Sequence, residues 1–160
     1  MVQDRLVIPV FKDNVMVGWQ TRAIVEGGKN KYYTMPGFPK SRMIFNQDRA
    51  RQFRFGVVVE GVFDAFRVGP RAVALFGKSM SQTQRELAVS FWGQGALCIM
   101  LDADAVEDME RLSKVMDPMR FRDGSFIVVT PQGHDPGSME RNALWRLITE
   151  HARNRGVQLA

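Results

Sequence analysis

The sequence predicts an α/β fold: a parallel sheet flanked by helices is preceded by a small basic β-rich segment. Three observations carry the general part of that prediction. From residue 57 to residue 155, short apolar runs alternate with helical patterns in the order βαβαβαβα. The apolar runs, residues 57–59 and the stretches "AVALF", "ALCIML" and "SFIVVT", have no polar interruption, as in parallel strands buried on both faces. Residues 1–55 follow another rhythm, with alternating strands and turn residues. The expected division is 1–55 as a basic β-rich subdomain and 56–160 as the α/β domain with a closing helix. A chain of 160 residues can bury a real core in one or two such domains.

Taken in order, "RLVIPVF", "KDN" and "VMVGWQTRAIV" read as a hairpin with Asp13 and Asn14 at its tip. "EGGKNK" is a loop, and "KYYTM" is a short strand stopped by Pro36-Gly37. "NQDRARQFRF" is a short basic helix candidate capped by Asn46. "EGVFDAFRVG" supplies a helical turn or two. "SQTQRELAVSFW" is a helix opened by a capping box of Ser81 and Gln84, with Leu87, Phe91 and Trp92 on one face. "DAVEDMERLSKVM" carries acids at its start and a lysine near its end, as a helix dipole favours. "PQGHDPGS" is a loop, and "MERNALWRLITEHARNR" is the last helix.

Composition narrows the chemistry. No run of eighteen apolar residues exists, so no membrane span is expected. The N-terminus has no signal-peptide pattern, which places the protein in a cytoplasm. One cysteine, Cys98, excludes an internal disulfide, and with only His134 and His151 beside it no usual zinc spacing can be written. Cys98 lies mid-strand, where a small buried hydrophobe is expected. The net charge is +5, suited to a polyanionic partner. The positive excess is concentrated in residues 1–55, where Arg5, Lys12, Arg22, Lys29, Lys31, Lys40, Arg42, Arg49, Arg51 and Arg54 face few acids.

Ligands of open α/β sheets bind at the carboxyl ends of the strands. Glu60 ends the first α/β strand, Asp102 and Asp104 end the third, and Asp135 lies in the loop after the fourth. If the chain is still extended at Asp104, Asp102 and Asp104 point to one side. Two carboxylates roughly 6 Å apart repel by about 3 kcal/mol at an effective dielectric near 20. A hard divalent cation relieves that repulsion. The alternative is that Asp102 caps the next helix and Asp104 is a solvated first-turn acid.

"VVVEGVFDA", "LFGKS" and "IMLDADA" together resemble the Toprim domain of primases, topoisomerases and some nucleases. That resemblance implies a divalent cation, Mg²⁺ or Mn²⁺, on Glu60, Asp102 and Asp104, with Asp64 nearby. "GHDPGS" is similar to the family's Asp-Pro loop and implies Asp135 as a further ligand. That loop carries Gly137 where the family usually has a second acid. "RLVIPVFKDNVMVGWQTRAI" and "KYYTMPGFPKSRMIFN" resemble the basic subdomain that precedes Toprim in bacterial DnaG-type and phage primases. By that resemblance Arg5, Arg22, Lys31, Lys40 and Arg42 contact NTP phosphates or template, and Lys78 in "GKS" adds another cation. Trp19, Tyr32 and Tyr33 are candidates for base stacking, with cross-strand packing the favoured role for Trp19.

The resemblance implies a DNA primase core without the zinc-binding domain, and hence no zinc within this chain. It would make RNA primers on single-stranded DNA from NTPs. Its expected partners are a replicative helicase or a separate zinc-binding template-recognition module, with no membrane. The alternatives are a Toprim nuclease using the same metals, and a non-catalytic single-stranded DNA-binding replisome adaptor.

Overall fold

The computed structural model describes residues 4–25, 30–77, 79–102 and 120–159. Asp104, Lys78 and the expected helix over "DAVEDMERLSKVM" lie outside the described residues. The backbone forms two compact units, residues 1–39 and 40–160.

The first unit is a three-stranded antiparallel sheet of β1 (Arg5–Lys12), β2 (Val15–Ala23) and β3 (Tyr32–Thr34), in the order β1-β2-β3. β1 and β2 form the expected hairpin, and Asp13 and Asn14 both adopt positive φ, 53° and 62°. Paired positive φ values match the right-handed twist of the flanking strands, and Asp and Asn tolerate them. Ile8, Val10 and Phe38 supply its buried apolar residues. Gly18 lies under the Phe38 ring, where a Cβ would stand 2.4 Å from that ring.

The second unit is a four-stranded sheet of β4 (Phe55–Val59), β5 (Ala72–Ala74), β6 (Ala96–Leu101) and β7 (Gly124–Val129), in the order β5-β4-β6-β7. Every pairing is parallel. This is the sheet expected from uninterrupted apolar runs, since such strands need cover on both faces. α3 (Gln82–Trp92) puts Ala88 and Trp92 against Val58, Val73, Leu97 and Ile99. The strand side chains alternate, and α2 (Val62–Val68) packs against β4 and β5 while α4 (Arg141–Asn154) packs against β7. Cys98 is fully buried in β6, and burial pushes its thiol pKa well up, so it is the inert small hydrophobe expected.

Residues 40–55 pack with the second unit. Phe45 forms a bridge to Ala74, donating its N–H to the Ala74 carbonyl at 2.9 Å. The expected helix near residue 46 is a single turn, α1 (Gln47–Ala50). Asn46 makes no side-chain cap; its Nδ2 donates to the carbonyls of Pro70 and Ala72 at 3.3 and 2.8 Å, and its backbone is left-handed. An asparagine accepts that conformation, and the early start of β4 at Phe55 ends the helix. Among the described residues no helix is long and apolar enough to cross a membrane.

Candidate active site

Strand register brings the acids together. Val58 pairs with Ile99 and Leu101 with Val129, so Glu60, Asp102 and the loop after β7 emerge at one end of the sheet. Glu60 and Asp102 are both half-buried. Asp64 sits one turn into α2, where it completes a cap: the Gly61 N–H donates to Asp64 Oδ2 at 3.0 Å.

From far along the chain, the Gly137 N–H donates to Asp64 Oδ1, also at 3.0 Å. The Gly137 carbonyl accepts from Arg67 Nε at 3.1 Å. Asp64 and Arg67, three apart on α2, thus grip the two peptide groups that flank Gly137 in the Asp135 loop. A Cβ on Gly137 would lie 2.8 Å from Asp64 Oδ1 and 3.4 Å from Asp135 Oδ1. Both carboxylates therefore rest against the same glycine, and a side chain there would displace the Asp64 carboxylate. That is a physical reason for glycine at the position where the resembled family carries a second acid.

The loop is ordered at both ends. Thr130 Oγ1 donates to the His134 carbonyl at 2.6 Å, and the Ser138 N–H donates to Asp135 Oδ1 at 2.7 Å. Asp135 itself is exposed.

Burial is the main cause that raises the Asp64 pKa to about 6; the charges of Asp102 and Asp135 add to it, and the Gly61 and Gly137 hydrogen bonds oppose it. Asp64, Asp102 and Asp135 therefore share one electrostatic neighbourhood. Among the described residues no three carboxylate, histidine or cysteine groups form a closed metal cluster. The donors gathered here are carboxylate oxygens, the set a hard cation such as Mg²⁺ or Mn²⁺ takes, and the like-charge crowding is what a cation would relieve.

The cations divide between the units. Arg5, in the first unit, is engaged with its own fold: Nε donates to Thr21 Oγ1 at 2.7 Å, and Nη2 donates to the carbonyls of Asn30 and Lys31 at 2.8 and 3.3 Å. It thereby fixes the backbone that carries Lys31, whose side chain is exposed. Arg22 lies over the Tyr32 ring, 5.2 Å from its centre, and donates to the Tyr32 hydroxyl. Trp19 packs against Tyr33 with ring centres 5.9 Å apart, the favoured cross-strand role.

Lys40 and Arg42, in the second unit, are exposed on a single 3-10 turn, Lys40–Arg42. Buried Gln84 anchors that turn: its amide donates to the carbonyls of Lys40, Met43 and Leu75 at 3.0, 2.8 and 3.1 Å. The sequence showed Gln84 only as half of a capping box, a role it also fills with Ser81. Arg67 belongs to no motif in the sequence. Its one signal is the spacing of three from Asp64.

No protein-family model matches the sequence, and no curated protein does. Solved structures do. The zinc-binding and RNA polymerase domains of the Aquifex aeolicus primase align at 25% identity and a TM-score of 0.76, over 92% of this chain and 40% of that one. A DnaG primase catalytic domain bound to single-stranded DNA aligns at 20% identity and a TM-score of 0.78, over 92% and 51%. The RNA polymerase domain of Mycobacterium tuberculosis primase DnaG, in complex with double-stranded DNA bearing a six-nucleotide overhang, aligns at 25% identity and a TM-score of 0.71, over 91% and 52%. The chain spans about half the length of the primase structures it matches. With a parallel sheet, a small antiparallel sheet ahead of it and these likenesses over nine-tenths of its length, the chain has the fold of a Toprim primase core.

Proposed function

We propose that the chain is the catalytic core of a DNA primase, which joins ribonucleotides into primers on single-stranded DNA during replication. One observation carries this reading: acids from three separate segments, β4–α2, β6 and the loop after β7, gather at one end of a parallel sheet of primase-core fold. DNA as a partner is supported by the solved neighbours bound to single-stranded and overhang-bearing DNA.

In this reading Glu60, Asp102 and Asp104 hold a divalent cation, with Asp64 and Asp135 beside them. When bound, that cation neutralises charge on the triphosphate of the incoming nucleotide. Asp64 and Arg67 hold the two peptide groups that flank Gly137 and thus keep the Asp135 loop against the site. Lys31, Lys40, Arg42, Arg22 and Lys78 give charge-assisted contacts to nucleotide and template phosphates. Arg5 acts on Lys31 by fixing its backbone. A replicative helicase or a separate zinc-binding module are the partners this core would work with, in the cytoplasm of a bacterium or phage-infected host.

The test is primer synthesis. With a single-stranded DNA template, NTPs and Mn²⁺, the wild-type chain yields RNA products. Asp102→Asn yields none, while its circular dichroism and melting stay those of a folded protein. Normal primer synthesis by Asp102→Asn would remove the reading, and shortening of the DNA with no RNA product would replace it with a nuclease.

A further inference from the structure

We infer that Arg141 and Trp145, on α4, are positioning residues for the acids: they hold α2 by its carboxyl end and so set where Asp64 and the Asp135 loop stand. The inference deepens the primase reading and rests on it for the cation.

α2 has seven residues, too few for a helix to last on its own backbone hydrogen bonds. Its placement is therefore decided by what grips its two ends. At the amino end the grip is internal, through Asp64 and the Gly61 N–H. At the carboxyl end the chain leaves the helix through Gly69, with φ at 114°. Pro70 follows and has no N–H, so the Phe66 carbonyl loses the donor four residues on. The last carbonyls of the helix must find donors elsewhere.

They find them on α4. Arg141 Nη2 donates to the Phe66 carbonyl at 3.0 Å, and Arg141 Nε donates to the Arg67 carbonyl at 2.9 Å. One turn further along, Trp145 Nε1 donates to the Val68 carbonyl, also at 3.0 Å. Two side chains thus serve three successive carbonyls. A guanidinium suits the place twice over: its fork matches two adjacent carbonyls, and its charge lies against the negative end of the helix. The indole is steadied edge-on by Phe55, with ring centres 6.4 Å apart and planes at 67°.

The two segments joined in this way are those the site needs in register. Arg141 lies four residues after Gly137, whose N–H and carbonyl meet Asp64 and Arg67. Contacts at residues 137 and 141 fix one stretch of chain to α2 at two points, which stops it pivoting about either. Arg67 links them, since its side chain holds the Gly137 carbonyl while its own carbonyl is held by Arg141. The contacts of Arg141 and Trp145 with α2 are all to backbone, so their effect on a cation passes through the placement of that helix.

The experiment compares the wild type with Arg141→Ala, Trp145→Phe and Ile148→Val. Phenylalanine keeps a ring against Phe55 and loses only the N–H, while Ile148→Val trims a fully buried residue of the same helix and touches neither donor. Amide hydrogen exchange at Gly137 without metal reads the clamp, calorimetry with Mn²⁺ reads the acids, and anisotropy with labelled single-stranded DNA without metal reads the cationic surface. Arg141→Ala and Trp145→Phe should each speed Gly137 exchange, weaken Mn²⁺ binding about tenfold and leave DNA affinity unchanged. Ile148→Val should lower the melting temperature and change none of the three. Should Arg141→Ala not fold, Trp145→Phe decides by itself.

Unchanged Mn²⁺ affinity in both variants, Mn²⁺ loss without faster Gly137 exchange, an equal loss in Ile148→Val, or a matching fall in DNA affinity would each overturn the inference and leave the primase reading intact. Loss in one variant alone would strike the other residue from the role. A wild type that binds no Mn²⁺ would overturn the cation reading itself, and the inference with it.

Discussion

All five residues of β4 are buried, as are residues 72–74 of β5, so these strands of the second unit are sealed on both faces. In the first unit Ile8, Val10 and Phe38 are buried, while Leu6, Val7, Phe11, Val15 and Met16 of the same hairpin stay exposed. The acids stand at the ends of the sealed strands. Arg5 and Arg22 belong to the thin sheet, held by hydrogen bonds to backbone, to Thr21 and to tyrosine, while Lys40 and Arg42 belong to the second unit. Packed strands can hold like charges close together, since the repulsion is small against the burial that fixes the backbone. The contrast teaches that one chain fixes its acids by packing and its bases by local polar contacts.

The largest effect expected from breaking that contrast is on the sealed side. Trp92 is 1% exposed and packs over Gly56, where a Cβ would lie 2.2 Å from the indole. Trp92→Ala should cost about 3–5 kcal/mol in urea unfolding of the whole chain. Gly56→Ala should follow, at about 1–3 kcal/mol from overpacking, and Gly18→Ala, which meets Phe38 in the thin sheet, should cost less. Equal losses at the two glycines would erase the distinction.

Gln84→Leu comes next. It strands the carbonyls of Lys40, Met43 and Leu75, at about 1–3 kcal/mol for a buried group left unsatisfied. It should also weaken single-stranded DNA binding through Lys40 and Arg42, measured by fluorescence anisotropy. Gly137→Ala should lower Mn²⁺ affinity about 10- to 100-fold by pushing on the Asp64 carboxylate, read by calorimetry, with melting little changed.

The smallest effect belongs to the exposed pair of Arg54 and Asp123, 2.8 Å apart. The hydrogen bond from Arg54 holds the Asp123 carboxyl below its usual range. A lowered carboxylate pKa stabilises the fold at neutral pH, and that contribution is lost as pH falls from the unfolded value, near 3.8, through the lower folded one. Arg54→Ala should therefore lower the melting temperature slightly at pH 7 and not at all near pH 2, by differential scanning calorimetry.

Much of this architecture was legible in the sequence because its signals are local. Uninterrupted apolar runs mark the parallel strands, and Asp13-Asn14 marks the hairpin turn. The polar run after Phe45 looked helical, yet Asn46 turns its side chain to Pro70 and Ala72, and Phe53 packs under Arg71 with the guanidinium 4.9 Å from the ring centre. Those partners are distant in sequence, which is also why residues 40–55 join the second unit although their charge resembles the first. Glu60 and Asp102 could be read from where the apolar runs stop. The clamp of Asp64 and Arg67 on Gly137 spans 73 and 70 residues and leaves no periodic trace.

Anomalous scattering from crystals soaked in Mn²⁺ tests the convergence of the acids most directly. A manganese peak within coordination distance of Asp102 and Glu60, lost in Asp102→Asn crystals, is the expected result. A peak bound by other residues, or none at these carboxylates at saturating Mn²⁺, would contradict it.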